Sequence, residues 1–480
     1  MTNWLPDLNG TTGPLYQRLA ERIEADIDAG VLPHGAKLPP QRDLAFDIRT
    51  TVGTVGRAYS LLRERGLVSG EVGRGTYVLA RSTPDTASAP ASRAKAKASP
   101  ADIYEFGTRP FDAPLDKIRF DSTSAPDVGQ SHELAEALAY AARQFPNEMA
   151  SYTRTFPDRW REAGGIWLAR NGFRPAVDAI VPTLGAHAGA VATIAALTSP
   201  GDYVAFEHVT YSPIARSTTL NGRRIALVKA DENGLDPDSF DHVCAQKHPK
   251  IAFLQPTAHN PTVITMPQAR RREIVEIARK RNVLLLEDDL YGSLSDDDNP
   301  LVAELAPERT ILVSGLSKGV AAGIRGGWLC CPPAYRHRIR VAHKMLSGGM
   351  PFVLAEVSAQ LVLSGAAAEI RRRSLDEIRA RTTLARTLME GWDFNMHPNI
   401  PFVWLALPEP WNSGMFKNAA LERGVLVDDE DEYKAGRSDQ VFHRIRFGVS
   451  QPAQRETILT GLNVLRRLLD EGPVGYEQHE

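Results

Sequence analysis

Lys318 lies in SGLSKGVAAGIRGGW, just past an apolar run. A lysine at a strand end in a half-buried pocket can lose its proton and attack an aldehyde, which a solvated surface amine does not do. Arg325 follows seven positions later, and the planar fork of an arginine grips phosphate with paired hydrogen bonds. Asp288 closes the apolar run VLLLEDD, with Tyr291 three residues on. A carboxylate at a buried strand end is costly unless it meets a partner. Gly185, Ala186 and His187 in PTLGAHAGAVATIAAL open a helix after an apolar strand, and the exposed amides at a helix start bind phosphate. Taken singly, each has a bland alternative. Lys318 could be a solvated amine, Asn260–Pro261 in HNPTVITM an ordinary turn, and Tyr211 in FEHVTYSPI a core aromatic. The Asn260–Pro261 bond is also a candidate cis peptide.

These residues need a scaffold that brings strand ends together. Apolar runs at 203–206, 250–256, 282–289, 310–315 and 327–332 alternate with helical stretches. Continuous apolar strands separated by helices predict a parallel or mixed sheet covered on both faces. Residues 104–480 therefore read as an α/β body. Residues 81–103, rich in Ala, Ser, Pro and Thr, offer almost nothing to bury and read as a flexible linker.

Residues 1–80 follow another pattern. Leu15, Leu19, Ile23 and Ile27 recur every four positions, one face of a helix that Gly30 stops. A second helix is expected over about 40–48. A third is expected over about 51–64, with Val52, Val55, Ala58, Tyr59 and Leu62 inward. LVSGEVGRGTYVL then reads as two strands around a glycine-rich turn. Three helices and a hairpin make a winged helix–turn–helix. Thr51, Gly53, Thr54 and Arg57 on the outer face of the third helix can enter a major groove. Arg42 can reach a phosphate, and Arg74 at the wing tip can enter a minor groove. The alternative is a winged helix used for protein contacts.

The formal net charge of −2 means that nucleic-acid affinity must come from local patches. Three cysteines argue against a disulfide framework, and no metal-ligand spacing exists. Cys330 and Cys331 read as buried structural thiols. No signal peptide and no membrane-length apolar run is seen, so a cytoplasmic protein is expected.

The segment from LPPQRDLA to GRGTYV resembles the GntR-type winged-helix head, although Val52 stands where an arginine is often found. The body resembles the fold-type I aminotransferases, and the combination resembles the MocR-like regulators of the GntR superfamily. The resemblance implies pyridoxal 5′-phosphate held as a Schiff base on Lys318, with Asp288 facing its ring nitrogen as the second catalytic residue. It implies Tyr211 stacked on the ring, and Asn260 and Tyr291 on the phenolic oxygen. Gly185, Ala186, His187 and Arg325 would hold the phosphate. Gly315 replaces a serine that many relatives carry, so Ser317 or Ser314 supplies the hydroxyl or one contact is lost. Tyr152 in MASYTRTF matches a residue that reaches the phosphate of the neighbouring subunit, which implies a homodimer. Arg446 in HRIRFGVS matches the arginine for an effector carboxylate. Arg444, two positions away on the same face, is its competitor. The implied function is a regulator that binds operator DNA and senses PLP, or a small amine or amino acid that reacts with it. The alternative is a working aminotransferase with a DNA-binding head. A cofactor-free scaffold is disfavoured by the intact lysine and aspartate.

Overall fold

The computed structural model describes residues 4, 6, 15–33, 36–48, 50–65, 67–71, 75–79, 116–438 and 440–477. The chain divides into two compact units, residues 1–96 and 97–480. The expected linker, 81–103, lies outside the described residues.

In the first unit, α1 (Leu15–Asp28), α2 (Gln41–Asp47) and α3 (Val52–Glu64) enclose a small core. Leu19 and Ile23 meet Leu44, Val55, Ala58, Tyr59 and Leu62, all buried. The every-fourth-residue stripe read from the sequence is thus the inner face. Thr51 caps α3, its Oγ1 accepting from the Thr54 amide at 3.2 Å. The wing is a three-stranded sheet. β1 (Lys37–Leu38) pairs with β3 (Gly75–Val78), and β3 pairs with β2 (Val68–Glu71). Two strands were expected; β1, two residues long, is too short to carry a periodicity.

The second unit is built on a seven-stranded sheet. Its strands in chain order are β4 (Ile180–Thr183), β5 (Tyr203–Glu207), β6 (Arg224–Val228), β7 (Ile251–Leu254), β8 (Leu284–Asp288), β9 (Thr310–Gly315) and β10 (Gly327–Cys330). The spatial order is β4-β10-β9-β8-β7-β5-β6. Pairings from β9 through β6 are parallel; β10 runs antiparallel to both its neighbours. These strands are the apolar runs of the sequence, and helices such as α4 (Gly185–Leu197) cover them. A second sheet of β11 (Phe394–Met396), β12 (Phe402–Ala406), β13 (Asp428–Asp429) and β14 (Arg444–Gly448) is fully antiparallel, in the order β11-β12-β14-β13.

Cys244 and Cys331 are buried, but Cys330, read as buried, is half-exposed at the end of β10. Burial pushes all three thiols up, to about 12, 12 and 11 respectively, so they stay protonated and unreactive near neutral pH. Among the described residues no single helix is long and apolar enough to cross a membrane.

The β9–β10 hairpin is pressed against the start of α4. A Cβ on Gly327 would stand 2.6 Å from the Gly185 Cα, a backbone atom that cannot swing aside. Gly327→Ala should cost about 3 kcal/mol, near the upper end for overpacking. Urea unfolding checks this, and a variant as stable as wild type would mean that the hairpin yields.

Candidate functional site

The parallel strands deliver their carboxyl ends to one edge of the large sheet, where α/β sheets bind ligands. β8 ends in Asp288, and the turn after β9 carries Ser317 and Lys318. Tyr211 follows β5, Gln255 and Asn260 follow β7, and Gly185 follows β4. These residues line two adjoining cavities of about 160 and 110 Å³ that share Ser122, Tyr211, Asp288, Leu290 and Lys318. Gly185, Ala186, His187, Ser317 and Arg325 line the first; Asn260, Tyr291 and Arg446 line the second.

Lys318 Nζ donates to Thr123 Oγ1 at 3.2 Å and lies 5.5 Å from the Tyr291 ring centre. Thr123 Oγ1 and the Tyr291 hydroxyl are 2.7 Å apart, so the three form a short chain. Asp288 accepts from Gln255 Nε2 at 3.0 Å and from the Leu290 amide at 3.1 Å. Its burial, reinforced by the Asp289 charge, outweighs those bonds and the charge of Lys318, and pushes the carboxyl up to about 6. Asp289 itself faces away, held by two 2.7 Å bonds from Arg170.

The other end of the first cavity is a cradle for an anion. Gly185 takes a left-handed φ of +78°, which turns the chain into α4. The preceding Leu184 amide donates to His343 Nε2 at 3.1 Å, and burial holds His343 neutral, down to about 4. Burial, then the nearby Arg325 charge, also lowers His187. Arg325 is exposed, and among the described residues its guanidinium has no hydrogen-bond or ion-pair partner. Of the two candidate serines, Ser317 lines the cavity, whereas buried Ser314 donates to the Asp289 carbonyl at 3.1 Å. A serine could not stand at 315, because its Cβ would meet the Gly326 carbonyl at 2.7 Å.

Arg446 is buried beside Asn260, while Arg444 turns to Asp393 at 2.9 Å. Their shared strand face left these two open in the sequence. The Asn260–Pro261 bond is cis. Tyr152 is not brought into these cavities. It is 94% exposed on a separate groove of about 850 Å³ that Met350 and Phe352 also line. In the first unit Thr51, Gly53 and Arg57 are exposed and Thr54 is half-exposed, with Arg57 lying 6.0 Å from the Tyr16 ring centre. Arg74 and the side chains of Arg42 and Val52 lie outside the described residues.

Sequence reasoning missed Thr123, Ser122 and Gln255. Gln255 carried the same signal as Asp288, a polar residue at the end of an apolar strand. Ser122 and Thr123 sit in FDSTSAP, a hydroxyl cluster with no periodicity to place it.

Residues 123–457 match the family Aminotransferase class I and II. The chain belongs to that family. Residues 15–78 match the gntR family of bacterial regulatory proteins, so this aminotransferase-family chain carries a GntR-type DNA-binding domain at its N-terminus. It is 29% identical over 98% of its length to the uncharacterized HTH-type transcriptional regulator YdeF of Bacillus subtilis (strain 168), covering 97% of that protein. It is 26% identical to the uncharacterized HTH-type transcriptional regulator YdcR of Escherichia coli (strain K12), over 89% of this chain and 94% of that one. Its fold is that of LysN, the α-aminoadipate aminotransferase of Thermus thermophilus, with a TM-score of 0.67 and 22% identity over 74% of this chain and 92% of that one.

Pyridoxal phosphate is the cofactor that this family implies, and the site fits it on its own chemistry. A partnerless guanidinium beside the amides of a helix start suits a doubly charged phosphate. A buried carboxyl pushed up to about 6 calls for a cation, which a protonated pyridine nitrogen supplies. Lys318, half-buried between them, is the available amine.

Proposed function

We propose that this chain is a transcription regulator whose aminotransferase-like body senses pyridoxal phosphate, or a small amine or amino acid that meets it there, and sets the grip of the N-terminal domain on operator DNA. The observation that carries this reading is the union of a GntR-type domain with a pocket that gathers Lys318, Asp288 and Arg325 in one chain. An enzyme has no use for the first, and a simple DNA-binding protein none for the second. The cofactor, when bound, supplies an aldehyde for amines and an electron sink. The chain's own residues do the rest: Lys318 provides the amine that holds the cofactor, and Asp288 keeps a proton on the ring nitrogen. Gly185, Ala186, His187, Ser317 and Arg325 take the phosphate, Tyr211 covers the ring, and Asn260 and Tyr291 orient it.

The reading includes a homodimer in the cytoplasm, with Tyr152 reaching the neighbouring subunit's phosphate. Apolar side chains left in water on the groove that Tyr152 lines support it: Val341 and Met149 are 42% and 39% exposed. Operator titration with and without pyridoxal phosphate and candidate amines tests the proposal. An effector shifts DNA binding only by its differential affinity for two states, so affinity unmoved by cofactor and amines alike sinks the sensing role. Turnover of amino and keto acids with no operator binding at all would make the chain a working aminotransferase instead.

Arg42 and Arg74 are the proposed phosphate and minor-groove contacts, with Thr51, Gly53, Thr54 and Arg57 facing the bases. Each arginine removed should lower the salt slope of binding by about one unit. If Arg42→Ala and Arg74→Ala together leave operator affinity unchanged at several salt concentrations, the docking face is misassigned.

A further inference from the structure

Arg446 has the position to receive a carboxylate, but its fork is already filled from within the chain. β14 lies between β12 and β13, and the register sets Arg446 directly opposite Asp428. The two side chains pair at 2.7 Å, at 2% and 0% exposure. Arg446 Nη2 gives one hydrogen to Asp428 and the other to the Asp121 carbonyl at 3.1 Å; Nη1 gives one to Asn260 Oδ1 at 3.0 Å. Nε is buried with no hydrogen-bond partner among the described residues. The Tyr433 and Phe402 ring centres lie 4.9 and 5.4 Å from the guanidinium carbon, and the Tyr433 hydroxyl donates to Asp428.

A carboxylate takes a guanidinium two-pronged either across Nε and Nη2 or across Nη1 and Nη2. Both seats need a hydrogen of Nη2, and both of its hydrogens are committed. A carboxylate entering the pocket can gain only single bonds, from Nη1 or Nε and never a two-pronged seat, and would meet a guanidinium whose charge Asp428 has cancelled. To gain the full fork it must displace Asp428. That would leave a second carboxylate buried without its cation, a strongly unfavourable change.

We propose that Asp428 sets the specificity of the pocket by holding Arg446, so that the pocket takes a primary amine without a carboxylate on its amine-bearing carbon in preference to an α-amino acid. This rests on the reading that the Lys318 pocket holds pyridoxal phosphate and admits an amine. The structure assigns Asp428 as a specificity residue that acts through Arg446.

The test uses the full-length, cofactor-loaded protein and matched probes, L-phenylalanine against 2-phenylethylamine and L-lysine against 1,5-diaminopentane. Binding is read from the cofactor absorption band and, separately, by calorimetry. In the wild-type protein each amine should bind at least about tenfold tighter than its amino acid, because only the amino acid must seat a charge that finds no cation. Asp428→Asn keeps an acceptor for Nη2 but frees the charge of Arg446, and should shrink that ratio by about tenfold or more. If Asp428→Asn does not fold, the wild-type ratio still decides. Wild-type protein that binds the amino acids as tightly as the amines overturns the proposal and leaves the sensing pocket standing. A ratio unchanged in folded Asp428→Asn overturns the role of Asp428. Protein that takes up no cofactor, or whose band none of the four probes moves, overturns the underlying reading and this proposal with it.

Discussion

Lys318→Ala should abolish covalent retention of the cofactor. After borohydride treatment the wild-type protein should carry pyridoxyl label on the peptide containing Lys318, and the variant none. The expectation follows from position. Lys318 is the lysine that lines both cavities, within reach of Thr123 and close enough to Asp288 to affect its ionisation. Lys318 is only half-buried, and the Thr123–Tyr291 contact remains without it. The variant should therefore fold, and its N-terminal domain, whose core contains none of these residues, should still bind DNA. What it should lose is the response to amines, because the amine that an effector displaces is gone. Undiminished label on Lys318→Ala would place the attachment elsewhere. A full amine response with the label gone would mean that cofactor occupancy, or a separate ligand pocket, carries the signal.

How much of this was legible in the sequence depends on the kind of signal each residue leaves. The strands of the large sheet are continuous apolar runs because both faces are buried, and a run ending in Asp or followed by Lys marks its functional end directly. Asp288, Lys318 and Gly185 stand at such ends, Tyr211 came from the family resemblance, and all four converge on one edge of the sheet. Asp428 left no such trace. It stands in VLVDDEDEY, where five acids follow an apolar stretch, and a charge run there reads as a solvated loop. Only the antiparallel register of β13 and β14 sets it opposite Arg446, and register between distant strands is not written in local periodicity. Gly315 is the reverse case. The sequence marks it as a departure from a serine, but only the 2.7 Å approach of the Gly326 carbonyl to its missing Cβ shows that the departure is steric.

Asp288→Asn should stabilise the cofactor-free protein near neutral pH and weaken it once the cofactor is supplied. Burial raises the Asp288 carboxyl from 3.8 to about 6. A carboxyl whose folded value lies above its unfolded one makes the folded state bind more protons between the two. The stability it contributes is present below pH 4 and is lost as the pH rises through about 6. At 1.36 kcal/mol per pH unit, that loss amounts to about 3 kcal/mol at pH 7 and above. Asparagine does not ionise and escapes it. Asparagine has a single side-chain oxygen for two donors, Gln255 Nε2 and the Leu290 amide, and a lost bond takes back about 1 kcal/mol. A net gain of about 2 kcal/mol should remain at pH 7.5 and shrink toward pH 4. Glu287, which burial pushes up to about 7, titrates in both proteins and cancels in the difference. With the cofactor the order should reverse. A protonated ring nitrogen repays the burial of an aspartate but gains no charge partner from an asparagine. Thermal denaturation of wild type and variant across pH 4 to 8, with and without pyridoxal phosphate, tests both halves. A cofactor-free variant less stable than wild type at pH 7.5 would show that Asp288 is already compensated within the chain, and that its burial is not held in reserve for a cation.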